Sequence, residues 1–239
     1  MLGKDFTLRV PTSCRPDSVF IEKNEITESI EEYCEGIFRL QEEAEVVSTG
    51  DLARYMCVKP ASVTMMIKRL IELELVEHMP YQGVLLTDKG VQLSISLLRK
   101  HRLIERLLVD YLDLPWDDVH ELACKLEHYV GDKVTDKIAK ALNYPETCPH
   151  GNPIDATKKD SARRLSDTEA GESLRVVRIS DERQDFLIYV KNLGLMPGVE
   201  VEIIDRTPFG DVLTVRIMET GHQVAVGKEV GANVWLLAK

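Results

Sequence analysis

Between His120 and His128 the chain reads His-Glu-Leu-Ala-Cys-Lys-Leu-Glu-His, which puts His120, Cys124, Glu127 and His128 at i, i+4, i+7 and i+8. On an α-helix that spacing forms one stripe carrying two imidazoles, a thiol and a carboxylate. Such a donor set suits a divalent transition-metal ion. Upstream, His101 and Glu105 stand one helical turn apart and add two more donors. The chain has only six His and five Cys, so this concentration in one span reads as a metal site. The same residues also admit a hydrolytic reading. His120-Glu121-Leu122-Ala123-Cys124 departs from the zinc-protease pattern HExxH in its last ligand, and Cys124 to His128 departs from HxxEH in its first. Catalysis would need an open coordination position and a free carboxylate, for which Glu121 is the candidate. A non-enzymatic site is expected, because Glu121 would have to act as base beside a soft thiolate ligand.

The ligands need helices to hold them. Apolar periodicity predicts a long helix from Thr87-Asp88-Lys89-Gly90 through Leu97, Leu98 and the His101 segment to Leu112, broken by Leu114-Pro115-Trp116. A second ligand helix is expected from about Asp117 to Val130, and another from Val134 to Leu142. Ahead of them, Ile30, Tyr33, Cys34, Ile37 and Phe38 recur at three- and four-residue steps, predicting a first helix from Thr27 to near Glu43. Ser48 to Met56 reads as a short helix capped by Ser or Thr. Cys57-Val58-Lys59 is a turn. Pro60 suits the start of the next helix, whose apolar face is Val63, Met66, Ile67, Leu70 and Leu73. Two extended runs around Tyr81-Gln82-Gly83 complete a winged helix-turn-helix. In that motif the second helix enters the major groove while hydroxyls and amides grip phosphates. The expected DNA contacts are Lys59, Pro60, Ala61, Ser62, Thr64, Met65, Lys68 and Arg69.

Composition bounds the rest. A chain of 239 residues with 44% hydrophobic content can fill two or three cores. No stretch approaches the ~20 apolar residues of a membrane span, and Met1 to Ser18 lack the apolar run of a secretory signal, so a cytoplasmic location is expected and no membrane partner. Cys14, Cys34, Cys57, Cys124 and Cys148 are scattered, without CxxC pairing, which argues against a disulfide framework. The net charge of −10 opposes DNA binding until its distribution is considered. Lys59, Lys68 and Arg69 fall in a stretch free of acids, whereas Glu28 to Glu43 is strongly acidic. Past Tyr144, a region rich in Pro, Gly and charge reads as a linker, and strand-like runs at 174–179, 200–204, 212–217 and 234–237, with one helix at 184–195, read as a small β-barrel.

The order of winged helix, Arg-Lys-His-Arg-Leu-Ile-Glu-Arg-Leu-Leu (99–108), His120 to His128, Gly-Asn-Pro-Ile (151–154) and the Gly-Leu-Met-Pro-Gly turn (194–198) resembles the diphtheria-toxin-repressor and manganese-transport-regulator family. The resemblance covers residues 25 to 239. It implies a mainly α, α+β chain: an N-terminal arm (1–24), a winged helix-turn-helix (25–95), a metal-binding and dimerisation domain (96–145), a linker (146–172) and an SH3-like, ferrous-iron-transport-A-like barrel (173–239). It further implies a homodimer that binds palindromic double-stranded operator DNA when loaded with about two metal ions per subunit, represses metal-uptake genes, and acts on no small-molecule substrate.

By the same resemblance, a primary site falls on Glu32, Cys124, Glu127 and His128, and an ancillary site on His101, Glu105 and His120. Glu35 is a further contact to a second ion, and Glu182 with Gln184 or Asp185 matches the place where the barrel lends ligands in some members. Glu32, Glu35 and Glu127 favour Mn²⁺, while Cys124 favours Fe²⁺, Co²⁺ or Zn²⁺. The reading adopted is Mn²⁺, with Fe²⁺ as the alternative. Met65 stands where relatives carry a base-contacting polar residue. It offers no bidentate contact, so operator choice is expected to rest on thymine methyls, Ser62, Thr64 and DNA shape.

Overall fold

The computed structural model describes residues 26–158, 160–207 and 211–238; the N-terminal arm expected at 1–24 lies outside them. The chain forms two compact units that meet in sequence between Leu98 and Arg99.

In the first unit, α1 (Glu28–Leu40) buries Ile30, Tyr33, Cys34, Ile37 and Phe38 on one stripe, with Glu28 and Glu31 in its first turn and Arg39 in its last. That charge order complements the helix dipole. Helix α2 (Thr49–Tyr55) is capped by Ser48, whose Oγ accepts the Asp51 amide at 3.0 Å. Cys57 turns the chain at φ 53°, and Pro60 opens α3 (Pro60–Glu72), which buries Val63, Ile67 and Leu70. Strands β1 (Val76–Met79) and β2 (Gly83–Leu86) pair antiparallel as the wing, Val76 opposite Leu86 and Met79 opposite Gly83. Thr87 Oγ1 then accepts the Gly90 amide at 3.1 Å and starts α4 (Asp88–Leu112), one continuous helix as the periodicity predicts.

In the second unit, the C-terminal half of α4 buries Leu103, Ile104 and Leu108. It packs with α5 (His120–Leu126) and α6 (Asp132–Ala141) through Val119, Ala123, Ala139 and Ile138. Ion pairs Arg99–Asp136 and Lys100–Asp132 tie α4 to α6. The ligand helix is shorter than expected: the helix ends at Leu126, Glu127 is its C-cap and His128 lies in the following turn.

The stretch read as a linker is built into this unit. Thr147 bridges Pro153, the Cys148 amide donates to Asn152 O at 2.8 Å, and the Ile179 amide donates to His150 O at 2.9 Å. Gly151 has φ 88°, and a Cβ there would meet Val177 O at 1.9 Å, so only glycine fits. Asn152 Nδ2 donates to Ile179 O and to Glu182 Oε1, and Pro153 O accepts from Arg102 Nη1 at 2.6 Å. The Gly-Asn-Pro motif thus stitches loop, helix and sheet together. Further on, β3 (Arg163–Arg164) pairs with β8 (Val234–Ala238).

The sheet runs β3-β8-β4-β5-β6-β7, with β4 (Ser173–Ile179), β5 (Glu200–Arg206), β6 (Leu213–Ile217) and β7 (Gln223–Val226), all pairs antiparallel. Bulges between Val176 and Arg178 and between Ile203 and Asp205 bend it around a core of Val176, Ile179, Val201, Ile203 and Val215. Helix α7 (Gln184–Asn192) adds Phe186, Leu187 and Val190, and α8 (Lys228–Asn233) adds Val230. Trp116, from the break after α4, inserts into the same core. The expected four strands are present; β3, β7 and α8 are too short or too polar to stand out by pattern.

Candidate metal centre

Two turns of α4 aim His101 and Glu105 inward, 1% and 0% exposed. Helix α5 presents His120 and Cys124, again one turn apart, and its C-cap supplies Glu127. Glu182 arrives from the bend between β4 and α7, and Cys148 and His150 from the loop ahead of Gly151. His101 is the hub. Its Nδ1 lies 2.6 Å from Glu127 Oε2, and its Nε2 lies 2.9 Å from Glu105 Oε1 and 3.1 Å from His120 Nδ1. Cys124 Sγ is 3.7 Å from His120 Nε2 and 4.0 Å from His101 Nδ1. His150 Nδ1 is 3.2 Å from Glu105 Oε1 and 3.6 Å from Glu182 Oε1, while its Nε2 donates to Trp116 O at 2.7 Å. That last bond fixes the ring orientation and turns the other nitrogen to the carboxylates.

Three overlapping ligand sets result: His101, His120 and Cys124; His101, Glu105, His120 and Glu182; and Glu105, Cys148, His150 and Glu182. Within each set the donor atoms lie within 4.8 Å of one another. The donors fit an ion. They are imidazole, thiolate and carboxylate together, and Glu105 Oε2 is buried with no hydrogen-bond partner.

Protons balance these charges. Burial works against a charged His101, but Glu105, Cys124 and Glu127 override it and raise its pKa well above the imidazole range. His120 is raised to about 9: burial opposes the charge, and Cys124, Glu105 and Glu182 outweigh burial. His150 is raised by Glu105, Cys148 and Glu182 against its burial. Burial would lift Glu105, yet His101 and His150 hold it well below the carboxylate range. Cys124 is lowered, despite burial, by hydrogen bonds to His101 and His120, while burial and Glu105 push the Cys148 thiol up. A divalent ion would replace these protons, so loading and proton release are coupled.

Of the residues singled out by sequence, His101, Glu105, His120, Cys124, Glu127 and Glu182 converge. His128 stands beside Glu127, its Nε2 3.6 Å from Glu127 Oε1, outside the three sets. Asp185 is exposed and accepts its neighbour's amide, Phe186 N, at 2.8 Å; Gln184 donates to Asp118. Both line a cavity of about 400 Å³, with Asp117, Asp118, Glu121 and Arg183, onto which His120 and Glu182 open. Glu32 and Glu35 lie on α1 in the first unit, Glu32 exposed and Glu35 paired with Arg39 at 2.8 Å. Cys148 and His150 were not foreseen. The signal was there in Cys148-Pro149-His150, two more scarce donors just ahead of the Gly-Asn-Pro motif.

Lys59, the N-cap of α3, and Pro60, Ala61, Ser62, Thr64, Met65, Lys68 and Arg69 on the helix are all exposed, Met65 at 75%. Two are engaged within the helix: Thr64 Oγ1 donates to Pro60 O at 3.0 Å, and Arg69 pairs with Glu72 at 3.0 Å.

A winged helix in one unit and buried convergent ligands in the other are the parts of a metal-responsive DNA-binding regulator. Residues 25–84 match the iron dependent repressor N-terminal DNA binding domain, 87–156 the iron dependent repressor metal binding and dimerisation domain, and 163–237 the FeoA domain. The chain is 33% identical over 216 residues to the iron-dependent repressor IdeR of Mycobacterium tuberculosis, covering 84% of this chain and 92% of that one. It is 31% identical over 231 residues to the diphtheria toxin repressor of Corynebacterium efficiens, covering 87% and 99%. A solved manganese-dependent transcriptional repressor in complex with manganese superposes with TM-score 0.82 at 31% identity, covering 88% and 100%. The chain belongs to the iron-dependent repressor family, whose members bind DNA under metal control and dimerise through the matched domain. Its relatives are transcriptional repressors, and among the described residues no helix is long and apolar enough to cross a membrane.

Proposed function

We propose that the protein is a Mn²⁺-activated repressor of metal-uptake genes, a homodimer that reads a palindromic operator through α3. The observation that supports this reading is the convergence of buried His101, Glu105 and Glu182 with half-buried His120 and Cys124 on one centre. One ion is held among His101, His120 and Cys124, with Glu127 at hand. A second is held by Glu105, Cys148, His150 and Glu182. The three carboxylates Glu105, Glu127 and Glu182 favour a hard ion, and a manganese-dependent repressor shares the fold. Glu32 and Glu35 enter as metal-sensing residues through the sequence resemblance. His128 and Asp185 enter as metal ligands through the same resemblance.

Fe²⁺ is the second reading, supported by two thiols in the centre, Cys124 with its lowered pKa, and by the iron-dependent relatives. An anaerobic DNA shift assay on the regulator's own promoter, titrated separately with Mn²⁺, Fe²⁺, Co²⁺ and Zn²⁺, decides between them. Tightest binding at the lowest free Mn²⁺ is expected. Equal binding in the presence of a chelator would overturn metal gating.

A further inference from the structure

The wing presents a side chain that the sequence-based DNA contacts do not include. Tyr81 stands at the hairpin tip between Pro80 and Gln82, fully exposed and at φ 63°. That left-handed backbone suits Gly or Asn and disfavours a tyrosine. An aromatic ring left wholly in water on such a backbone contributes nothing to the core of its own unit.

The tip is nevertheless held firmly. Gln82 N donates to Met79 O at 3.1 Å and closes the turn. Two residues further, Val47 and Val84 exchange both backbone hydrogen bonds, at 2.8 and 3.0 Å. A Cβ on Gly83 would lie 2.0 Å from Val47 O, so the stem is clamped against the segment that leads into Ser48, the cap of α2. Buried Val76, Val84 and Leu86 fix the base. The ring is therefore carried on a rigid stem attached to the helices that read DNA.

The chemistry of the wing narrows what that ring can touch. Residues 76–86 contain no Lys or Arg, and exposed Glu77 repels phosphate. With His78 the one side chain of residues 76–86 able to carry positive charge, and Glu77 beside it, this wing has little charge with which to grip DNA. A tyrosine can do so without it, the ring packing on deoxyribose and the hydroxyl donating to a phosphate oxygen. We propose that Tyr81 is a DNA-contacting residue: an uncharged anchor that binds the sugar-phosphate backbone flanking the groove entered by α3. It adds affinity without releasing counterions and without reading sequence.

Duplexes selected from a random-sequence library by the Mn²⁺-loaded full chain, and one unselected duplex at low salt, serve as probes for wild type, Tyr81→Ala, Tyr81→Phe, Tyr81→Asn and Lys68→Ala. Tyr81→Ala is expected to weaken both probes about tenfold while leaving the slope of log K against log salt unchanged, whereas Lys68→Ala lowers that slope by about 0.9. Tyr81→Phe falls between, by the loss of the hydroxyl contact. Tyr81→Asn, which tolerates the left-handed backbone, melts no lower than wild type yet binds as weakly as Tyr81→Ala. Wild-type affinity in both Tyr81→Ala and Tyr81→Asn overturns the proposal, as does a slope change matching that of Lys68→Ala. Should no ion support selection, the metal gating proposed above fails, while the unselected duplex still decides the role of Tyr81.

Discussion

Both units bury apolar cores, and they differ in what else they enclose. Beneath α1 to α3 the core is apolar, Ile37, Leu52, Val63, Leu70 and Leu75 being fully enclosed, and the polar side chains buried among the described residues of this unit, Gln41 and Ser94, are uncharged. Beneath α4 and α5 the enclosed side chains include His101, Glu105, Glu127, His150 and Glu182. An apolar core is stable whatever ion is present. A core of charges is stable only while each charge has a partner, and protons or a metal can fill that role with different geometry. The difference separates labour: a fixed reading head in one unit, and in the other a packing problem whose solution depends on the cation.

The largest effect is expected at the centre of the charged core. Glu105→Ala leaves the imidazolium groups of His101 and His150 without their shared carboxylate, and removing one partner of a buried pair costs about 3–5 kcal/mol. Calorimetry with chelator, then with Mn²⁺, should show the second unit melting early and gaining nothing from the metal. A metal-induced rise in melting temperature equal to wild type would show that Glu105 is no ligand.

The matching cut in the apolar core is Leu70→Ala. Leu70 is fully buried on α3, and a leucine lost from such a site costs about 2–5 kcal/mol. Here the deficit should persist at every metal concentration in denaturant titrations followed on the first unit. Full recovery of stability by Mn²⁺ alone would contradict the division drawn above.

Acidity separates the cores next. His120, raised to about 9, carries a proton at neutral pH that must leave before its nitrogen can bind an ion. Metal affinity should therefore rise with pH, by up to about tenfold per unit for each proton released, until the pH passes about 9 and the His120 contribution levels off. Calorimetric titration of Mn²⁺ in buffers of different ionisation enthalpy counts those protons. A pH-independent affinity between 6.5 and 8.5 would remove the imidazolium–carboxylate picture. The apolar unit has no comparable group among its core residues named above, and its own stability should change little over the same range.

The reading head was legible because local rules govern it. Ser48, Pro60 and the three- and four-residue steps of α1 and α3 each act within a turn or two of chain. The ligand helix was half legible. His120 and Cys124 do share a turn of helix, but the chain leaves the helix at Leu126, and a repeat of ligands at i+7 and i+8 cannot reveal that Glu127 and His128 lie at its end. Cys148 and His150 were hidden by their surroundings. Pro145, Pro149 and Pro153 give that stretch a linker's composition, and its burial comes from long-range bonds, His150 O to Ile179 N and Asn152 to Glu182, which no local period encodes. The Glu182 position became visible only through family likeness, since an acid in a bend carries no pattern of its own.

The smallest test returns to the reading head and asks whether its stability is local. Ser48 Oγ accepts the Asp51 amide and donates to Asp51 Oδ2 at 2.6 Å, while its backbone follows directly on Val47, which pairs with the wing. Losing a serine cap costs about 1 kcal/mol. Ser48→Ala should thus lower the stability of the first unit by about that amount, measured by denaturant unfolding in chelator, and leave Mn²⁺ affinity unchanged. Ser48→Asp, which keeps an acceptor for the Asp51 amide but brings two carboxylates together, should recover only part of the loss. If Ser48→Ala instead shifted Mn²⁺ affinity severalfold, the cap would be feeling the charged core, and the two units could no longer be treated as one fixed part and one cation-dependent part.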